Sequence, residues 1–474
     1  MPRHPHHCPP LRLCGRFGRR RRRRRHPAPR LVRPRDGPRR ALVQHAAAFL
    51  DRPATSVPST ILTRNRHHNM LSAPYGPYWR AVRGHAAAGV LHPSRLGLLR
   101  GTRARVLGDL VRSLRSSGGA TAGESLHFAV YSVLALMCFG ERVVSELGEA
   151  RLRAMLKFQH DVLLALPAFW VFAKHPRIGK FLYPSRWRQL LALRRQQEES
   201  FMPLVAEVRK HKACRDDSTF TSYVESLLDV LVHEEGGRKV TDGEIVSLIS
   251  EFLGAGTEST GAALEWTMAN LVKHPDLQRK LRLEVDAIAS GDHTKIIEAA
   301  DLSRMPYLMA VVLESLRRHP PVPFVLRHVK GDGHDDAAAA IGVPRLPNGG
   351  ATVNFLVGKI GRDPAAWSDP MSFKPERFMA GGEGEGADLM CTRELRMMPF
   401  GAGRRICPGL APAMFNIEYF VANLVREFEW LEVDGEEVDL AEFHGSFFTV
   451  MKHPLSARLV PRDAVAAAAA RPAR

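Results

Sequence analysis

Cys407 is the residue with the most chemistry open to it. It lies in Phe400-Gly401-Ala402-Gly403-Arg404-Arg405-Ile406-Cys407-Pro408-Gly409, a glycine-studded loop ahead of an apolar, helix-patterned segment running to Trp430. A thiolate is the strong axial donor that pushes electron density onto a haem iron and favours O–O cleavage. Such a sulfur needs burial against the porphyrin and backbone N–H groups aimed at it. Gly403 and Gly409 would let the loop approach the macrocycle with no Cβ in the way, and Arg405 would reach an anionic propionate. Taken alone, the same cysteine also reads as a small buried hydrophobe.

Three further groupings carry chemistry. In Glu314-Ser315-Leu316-Arg317 the acid and the base stand at i and i+3 on one helix face and can pair; Pro375-Glu376-Arg377-Phe378 follows about sixty residues later. On its own the first is an ordinary surface ion pair. In Ala255-Gly256-Thr257-Glu258-Ser259-Thr260, glycine weakens a helix by about 1 kcal/mol relative to alanine, so it needs a reason. Small residues there would leave room for a diatomic ligand and a water, and Glu258 with Ser259 could relay protons, which requires hydrogen-bond reach. The competing reading is a helix kink lined by solvated polar residues. In Tyr75-Gly76-Pro77-Tyr78-Trp79-Arg80-Ala81-Val82-Arg83, Trp79 and Arg83 are four apart on a predicted helix, and a tryptophan-bearing packing helix has the same pattern.

The elements that must position these residues are mostly helical. The strongest pattern predicts a helix from about Thr241 to Lys273, started by a Thr241/Glu244 capping box and stopped by His274-Pro275. At 1.5 Å per residue it would span a whole domain. A second helix is predicted over Pro306 to Arg318, ended by Pro320-Pro321, and strand-like runs such as Ala351 to Val357 and Phe447 to Met451 are few. Gly381 to Gly386 reads as a loop. The fold class is mainly α with small β-sheets.

Composition narrows the function. The chain has 474 residues and a net charge of +19, but residues 1–40 hold fifteen arginines and one acid, so +14 sits there and +5 in the remainder. The run Arg19 to Arg25 could bind nucleic acid or acidic lipid. No aromatic interleaving or groove-reading motif accompanies it, so no specific nucleic-acid partner is expected, and a disordered basic tail is. Six scattered cysteines without a C-x-x-C pair indicate neither a zinc site nor a disulfide framework; the His4, His6, His7, Cys8 cluster is not read as a metal site. The longest uninterrupted apolar run, Val162 to Ala173, contains Pro167 and falls short of the ~20 residues of a membrane span. It reads as a buried or interfacial segment. No secretory signal is expected.

Together the motifs resemble the plant microsomal, A-type cytochromes P450: P-F-G-A-G-R-R-I-C-P-G, A-G-T-E-S-T and F-K-P-E-R-F stand in that family's order. The resemblance spans about Ala41 to Arg462 and implies a P450 fold around a buried haem b. With composition, it divides the chain into a basic segment over 1–40, a catalytic domain over 41–462 and a low-complexity tail over 463–474. Cys407 would be the axial iron ligand. Trp79, Arg83, His328, Phe400, Gly403, Arg405 and Gly409 would contact the cofactor; Glu258 and Ser259 would be catalytic; Glu314, Arg317 and Arg377 would form a buried charge triad locking the ligand loop. Substrate contacts would fall at Phe252, Phe324, Val325, Phe448 and Thr449. The reaction implied is insertion of one oxygen atom from O2 into a small hydrophobic substrate of plant secondary metabolism. Electrons would come from NADPH through NADPH–cytochrome P450 reductase, at the cytosolic face of the endoplasmic reticulum membrane. The alternatives are a P450-fold isomerase or dehydratase, which tends to lose the acid–alcohol pair kept here, a catalytically defective P450, and a basic nucleic-acid-binding protein.

The chain also departs from the family. Residues 1–40 show neither its membrane helix and proline-rich hinge nor strands for the sheet expected before Ala41; their Arg/Pro/Ala/His content reads like a GC-rich sequence translated out of frame. Ser259 stands where threonine is usual, and Pro412 falls in the helix after Cys407, where an interior proline costs ~3 kcal/mol and one in the first turn less.

Overall fold

The computed structural model describes residues 30–31, 37–53, 57–63, 66–212, 220–290, 295–330, 335–343, 346–347, 350–392, 395–443 and 447–462. The His4–Cys8 cluster, the Arg19–Arg25 run and the 463–474 tail lie outside the described residues. The elements used below are β1 (Arg30–Leu31), α1 (Pro77–Ala88), α2 (Ala122–Phe139), α3 (Glu149–Ala165), α4 (Pro184–Lys212), α5 (Asp242–Lys273), α6 (Pro306–Arg318), β2 (Phe324–Val329), β3 (Ala351–Leu356), α7 (Leu410–Glu427), β4 (Glu442–Phe443) and β5 (Val450–Met451).

α5 organises the molecule. Thr241 caps it, its Oγ1 accepting the Glu244 N–H at 3.3 Å while Glu244 accepts the Thr241 N–H at 2.8 Å. It ends at His274, because Pro275 cannot continue it. Most of its surface is buried, which its apolar residues on every side require. α2 lies against it and is long and apolar enough to cross a membrane, yet 78% of it is buried inside the fold, so it serves as core. The two helices meet closely at Gly256, where a Cβ would stand 2.9 Å from Leu134 Cδ1. That contact supplies the reason for the glycine: it admits α2, while its neighbour Ala255 is left exposed midway along α5.

A small sheet, ordered β1-β3-β2, closes one side. β2 and β3 pair antiparallel from Phe324↔Leu356 to Val329↔Ala351, and β1 runs parallel to β3 with Arg30 opposite Val353. The expectation of no strand before Ala41 is thereby corrected: two residues suffice to extend an edge, too few for a sequence pattern to register. Behind the sheet a second core joins Ala41, Leu42 and Phe49 to Val329, Val353, Met398 and Ala402. The strand expected over Phe447 to Met451 shrinks to Val450–Met451, paired with β4, because the Thr449 N–H turns to the Pro321 carbonyl at 2.8 Å. Pro412 is the third residue of α7, where an N–H would have no intrahelical acceptor, so the penalty of an interior proline does not arise.

Candidate functional site

The ligand loop is shaped by its ends. The Cys407 N–H donates to the Phe400 carbonyl at 2.9 Å, and Gly401 and Gly403 take φ of 73° and 71°. A Cβ at Gly403 would also overlap the Leu42 carbonyl oxygen. Gly403 is thus needed for the loop's seat on residues 40–44. Cys407 stands two residues before Gly409, the N-cap of α7, where unpaired N–H groups favour negative charge. Burial pushes the thiol's pKa up, opposed by the Gly409 N–H and the Arg83 charge. Cys407 is half-buried, and a sulfur held so is a poor free thiolate; a coordinated cation would deprotonate it outright.

Arginines gather beside it. Arg405, 7% exposed, lies over the Trp79 ring at 4.7 Å and donates to the carbonyls of Ala73 at 2.8 Å and Met70 at 3.3 Å. Arg83 lies over the same indole at 5.9 Å. Arg327, 1% exposed, donates to the Leu326 carbonyl at 2.9 Å, and among the described residues none of Arg52, Arg83, Arg327 and Arg405 has a carboxylate within ion-pair distance. The Nε atoms of Arg52 and Arg405 are buried without hydrogen-bond partners. Burial, with Arg405 beside Arg52 and Arg83 beside Arg405, brings the pKa of Arg52 and of Arg405 down to about 10; burial and the charges of Arg52 and Arg405 drive Arg327 well below its usual value. Asp51 and Glu251 are the nearby acids, and burial raises Glu251 to about 7 although it accepts the Met70 and Leu71 N–H groups. Buried cations this short of acids call for an anionic ligand with more than one acceptor.

Along α5, Glu251, Ala255 and Ser259 follow at i, i+4 and i+8, and Ala255 is exposed on a helix buried nearly everywhere else. This stripe faces open space. Ser259 Oγ donates to the Ala255 carbonyl at 2.8 Å. Glu258 lies on another face, 5% exposed, 2.9 Å from His160 Nδ1 on α3. The acid and the alcohol are neighbours in sequence but their side chains are not brought together.

A profile of the cytochrome P450 family matches residues 31–459. A relative in Arabidopsis thaliana, cytochrome P450 89A9, is 39% identical over 434 residues, covering 89% of this chain and 82% of its own length. The chain belongs to the cytochrome P450 family. A flavonoid 3',5'-hydroxylase of Crocosmia x crocosmiiflora is 30% identical, with 84% of this chain and 77% of that one covered. A zebrafish cytochrome P450 structure with abiraterone superposes with a TM-score of 0.68 at 20% identity, covering 91% and 93%, and confirms the fold. This P450 is therefore a haem-thiolate monooxygenase that carries haem b, takes electrons from NADPH through a reductase partner and acts on a hydrophobic substrate.

The charge triad exists and is larger than three. Glu314 and Arg317 are fully buried, paired at 2.6 and 2.8 Å, and Arg377 Nε reaches Glu314 at 3.3 Å. Arg317 also donates to the carbonyls of Gly361, Pro370 and Ser372, and the Lys374 N–H donates to Glu314. Arg377 pairs in addition with Glu383, a partner hidden in the glycine-rich loop where no pattern marks it.

Other expected contacts are distributed differently. In β2, Arg327 is buried toward Arg52 and Arg405, and alternation puts His328 on the opposite face; its backbone N–H donates to the Asp51 carbonyl at 2.9 Å. Phe252 stacks on Tyr223 at 4.7 Å in the core, and Phe448 and Thr449 are buried, the Thr449 carbonyl accepting Trp266 Nε1 at 3.2 Å. Phe324, 6.1 Å from Phe447, and Val325, beside Gly401, remain half-buried. Arg52 and Arg327 escaped the sequence reading.

Proposed function

We propose that Cys407 is the axial ligand of haem b and that Arg52, Arg83, Arg327 and Arg405 hold its two propionates. The observation that carries this is the set of mutually repelling arginines without carboxylate partners beside a half-buried cysteine; the two carboxylates of one haem would supply the missing acceptors. Bound there, the haem supplies the activation of O2 and its transfer to a C–H bond. The chain's own part is to exclude water around Cys407, aim the Gly409 N–H at its sulfur, and present Ser259 Oγ and the Ala255 carbonyl as a hydrogen-bonded pair at the open stripe of α5. Phe324 and Val325 would border a small apolar substrate. The retained acid–alcohol pair favours oxygenation over a redox-neutral isomerisation.

The electron donor we infer is NADPH–cytochrome P450 reductase, and the site of action the cytosolic face of the endoplasmic reticulum. Trp170, Ile178, Phe181 and Leu182 are exposed together, with Lys174 over Trp170 at 4.0 Å and Lys180 over Phe181 at 4.9 Å. Apolar tips ringed by lysines suit a lipid surface.

Cys407→Ser tests the ligand assignment. The ferrous–CO spectrum of the variant should lose the band of thiolate-ligated haem, since serine is a poor substitute for a soft donor; an unchanged spectrum removes Cys407 from the iron.

A further inference from the structure

Glu258 presents a supply problem. Its carboxylate is 5% exposed, it lies on the face of α5 turned away from the open stripe, and its side-chain partner is His160 Nδ1 at 2.9 Å. His160 belongs to α3, which the neighbouring Gln159 pins to α5 by accepting Ser250 Oγ at 3.1 Å. The His160 side chain is 49% exposed, so one edge of the ring meets water while the other meets a buried acid. A second pair on α5 has the same chemistry without that opening: His127 of α2 stands 3.3 Å from Glu265, is 19% exposed, and shares Glu265 with the Leu455 N–H. The second pair is a lock between elements; the first connects solvent to the interior.

We infer that His160 is the inlet through which protons pass from solvent to Glu258, whose side chain must turn from His160 toward the Ser259 stripe to hand each proton on, and so a positioning residue that acts through that carboxylate. Solvent protonates Nε2 of the neutral ring that carries its hydrogen on Nδ1, the imidazolium gives its Nδ1 proton to Glu258, and a ring flip restores the Nδ1–H form, so a single proton moves inward in each cycle. The hydrogen bond to Glu258 and then its charge raise the pKa of His160 above that of an ordinary imidazole, against burial and Lys157. The charged groups around the ring are Lys157 and Asp161 on its own helix, paired at 2.9 Å, Glu258 from α5, and the His127–Glu265 pair beyond it.

The inference rests on the monooxygenase reading, and the test separates the two. In the holoenzyme, histidine-selective NMR of the diamagnetic ferrous–CO form should show His160 titrating above an ordinary imidazole, and the shift should vanish in Glu258→Gln. His160→Gln, which keeps a hydrogen-bond donor but carries no proton, should retain the thiolate-type CO spectrum. Its product formed per NADPH consumed should drop on the order of tenfold and its solvent deuterium isotope effect should rise, with His160→Lys restoring both. An intact CO spectrum with wild-type coupling and isotope effect in His160→Gln overturns the inlet. Absence of a thiolate-type spectrum in the wild-type chain would instead overturn the haem reading.

Discussion

Two clusters of buried charge lie in this fold, and they are built on opposite terms. Around Glu314 every charge has its answer: two arginines, a backbone N–H and three carbonyls saturate the carboxylate and the guanidinium of Arg317. Around Arg405 the arginines outnumber the acids and two Nε atoms go unanswered. The first network is finished by the chain alone and therefore holds the fold. The second is left for a ligand to finish and therefore marks a binding site. Burial and charge do not separate structure from function here; satisfaction does.

Breaking the finished network should have the largest effect. Glu314→Ala or Arg317→Ala strands a buried charge, at several kcal/mol against a total stability of ~5–15 kcal/mol. The variants should accumulate as insoluble or haem-free protein, seen in the ratio of haem to polypeptide; normal loading with modest destabilisation would remove the contrast. The unfinished network should answer the other way. Arg405→Met removes one of several repelling cations, so chemical denaturation of the apoprotein should shift by less than about 1 kcal/mol, while haem affinity falls at least about tenfold. Equal losses in both measurements would mean that Arg405 belongs with the triad.

The pH dependence sharpens the comparison further. Glu251 has a folded pKa of about 7, above its ordinary value, chiefly through burial. Its contribution to apoprotein stability is therefore full below pH ~4.5 and is lost as pH rises through about 7. Glu251→Gln should flatten that decline, by about 1–3 kcal/mol between pH 5 and 8, in urea titrations of the two proteins. The smallest effect on stability belongs to Ser259→Ala, which deletes one bond to the Ala255 carbonyl and should cost under about 1 kcal/mol. Haem and substrate binding should persist, but less product should form per NADPH; an unchanged ratio would exclude Ser259 from the proton route.

Much of the frame was legible because it is local. The ends of α5 follow from a capping box and a proline, and α6 runs from Pro306 to Arg318 as its periodicity predicts. The ligand loop and the Glu314–Arg317 pair follow from short spacings. What escaped depends on neighbours distant in sequence. In β2 both faces carry two apolar residues and one basic one, Val325, Arg327 and Val329 against Phe324, Leu326 and His328, so alternation gave no way to choose which basic side chain turns inward. Gly256 read as room for a ligand because the helix that fills the space, with Leu134 on it, lies more than a hundred residues away. Phe252, Phe448 and Thr449 read as lining a cavity because core and cavity walls use the same apolar types.

The seat of Gly403 on the Leu42 carbonyl has a consequence for how the molecule is made. These residues stand about 360 positions apart, so the loop bearing Cys407 acquires its support only when the beginning of the domain and the start of about its last seventh are both present. During synthesis the early segment emerges long before its partner, and closing so large a loop is entropically costly until the intervening helices have packed. The pocket is consequently among the last parts of the chain to mature, and capture of the cofactor reports that both ends have arrived.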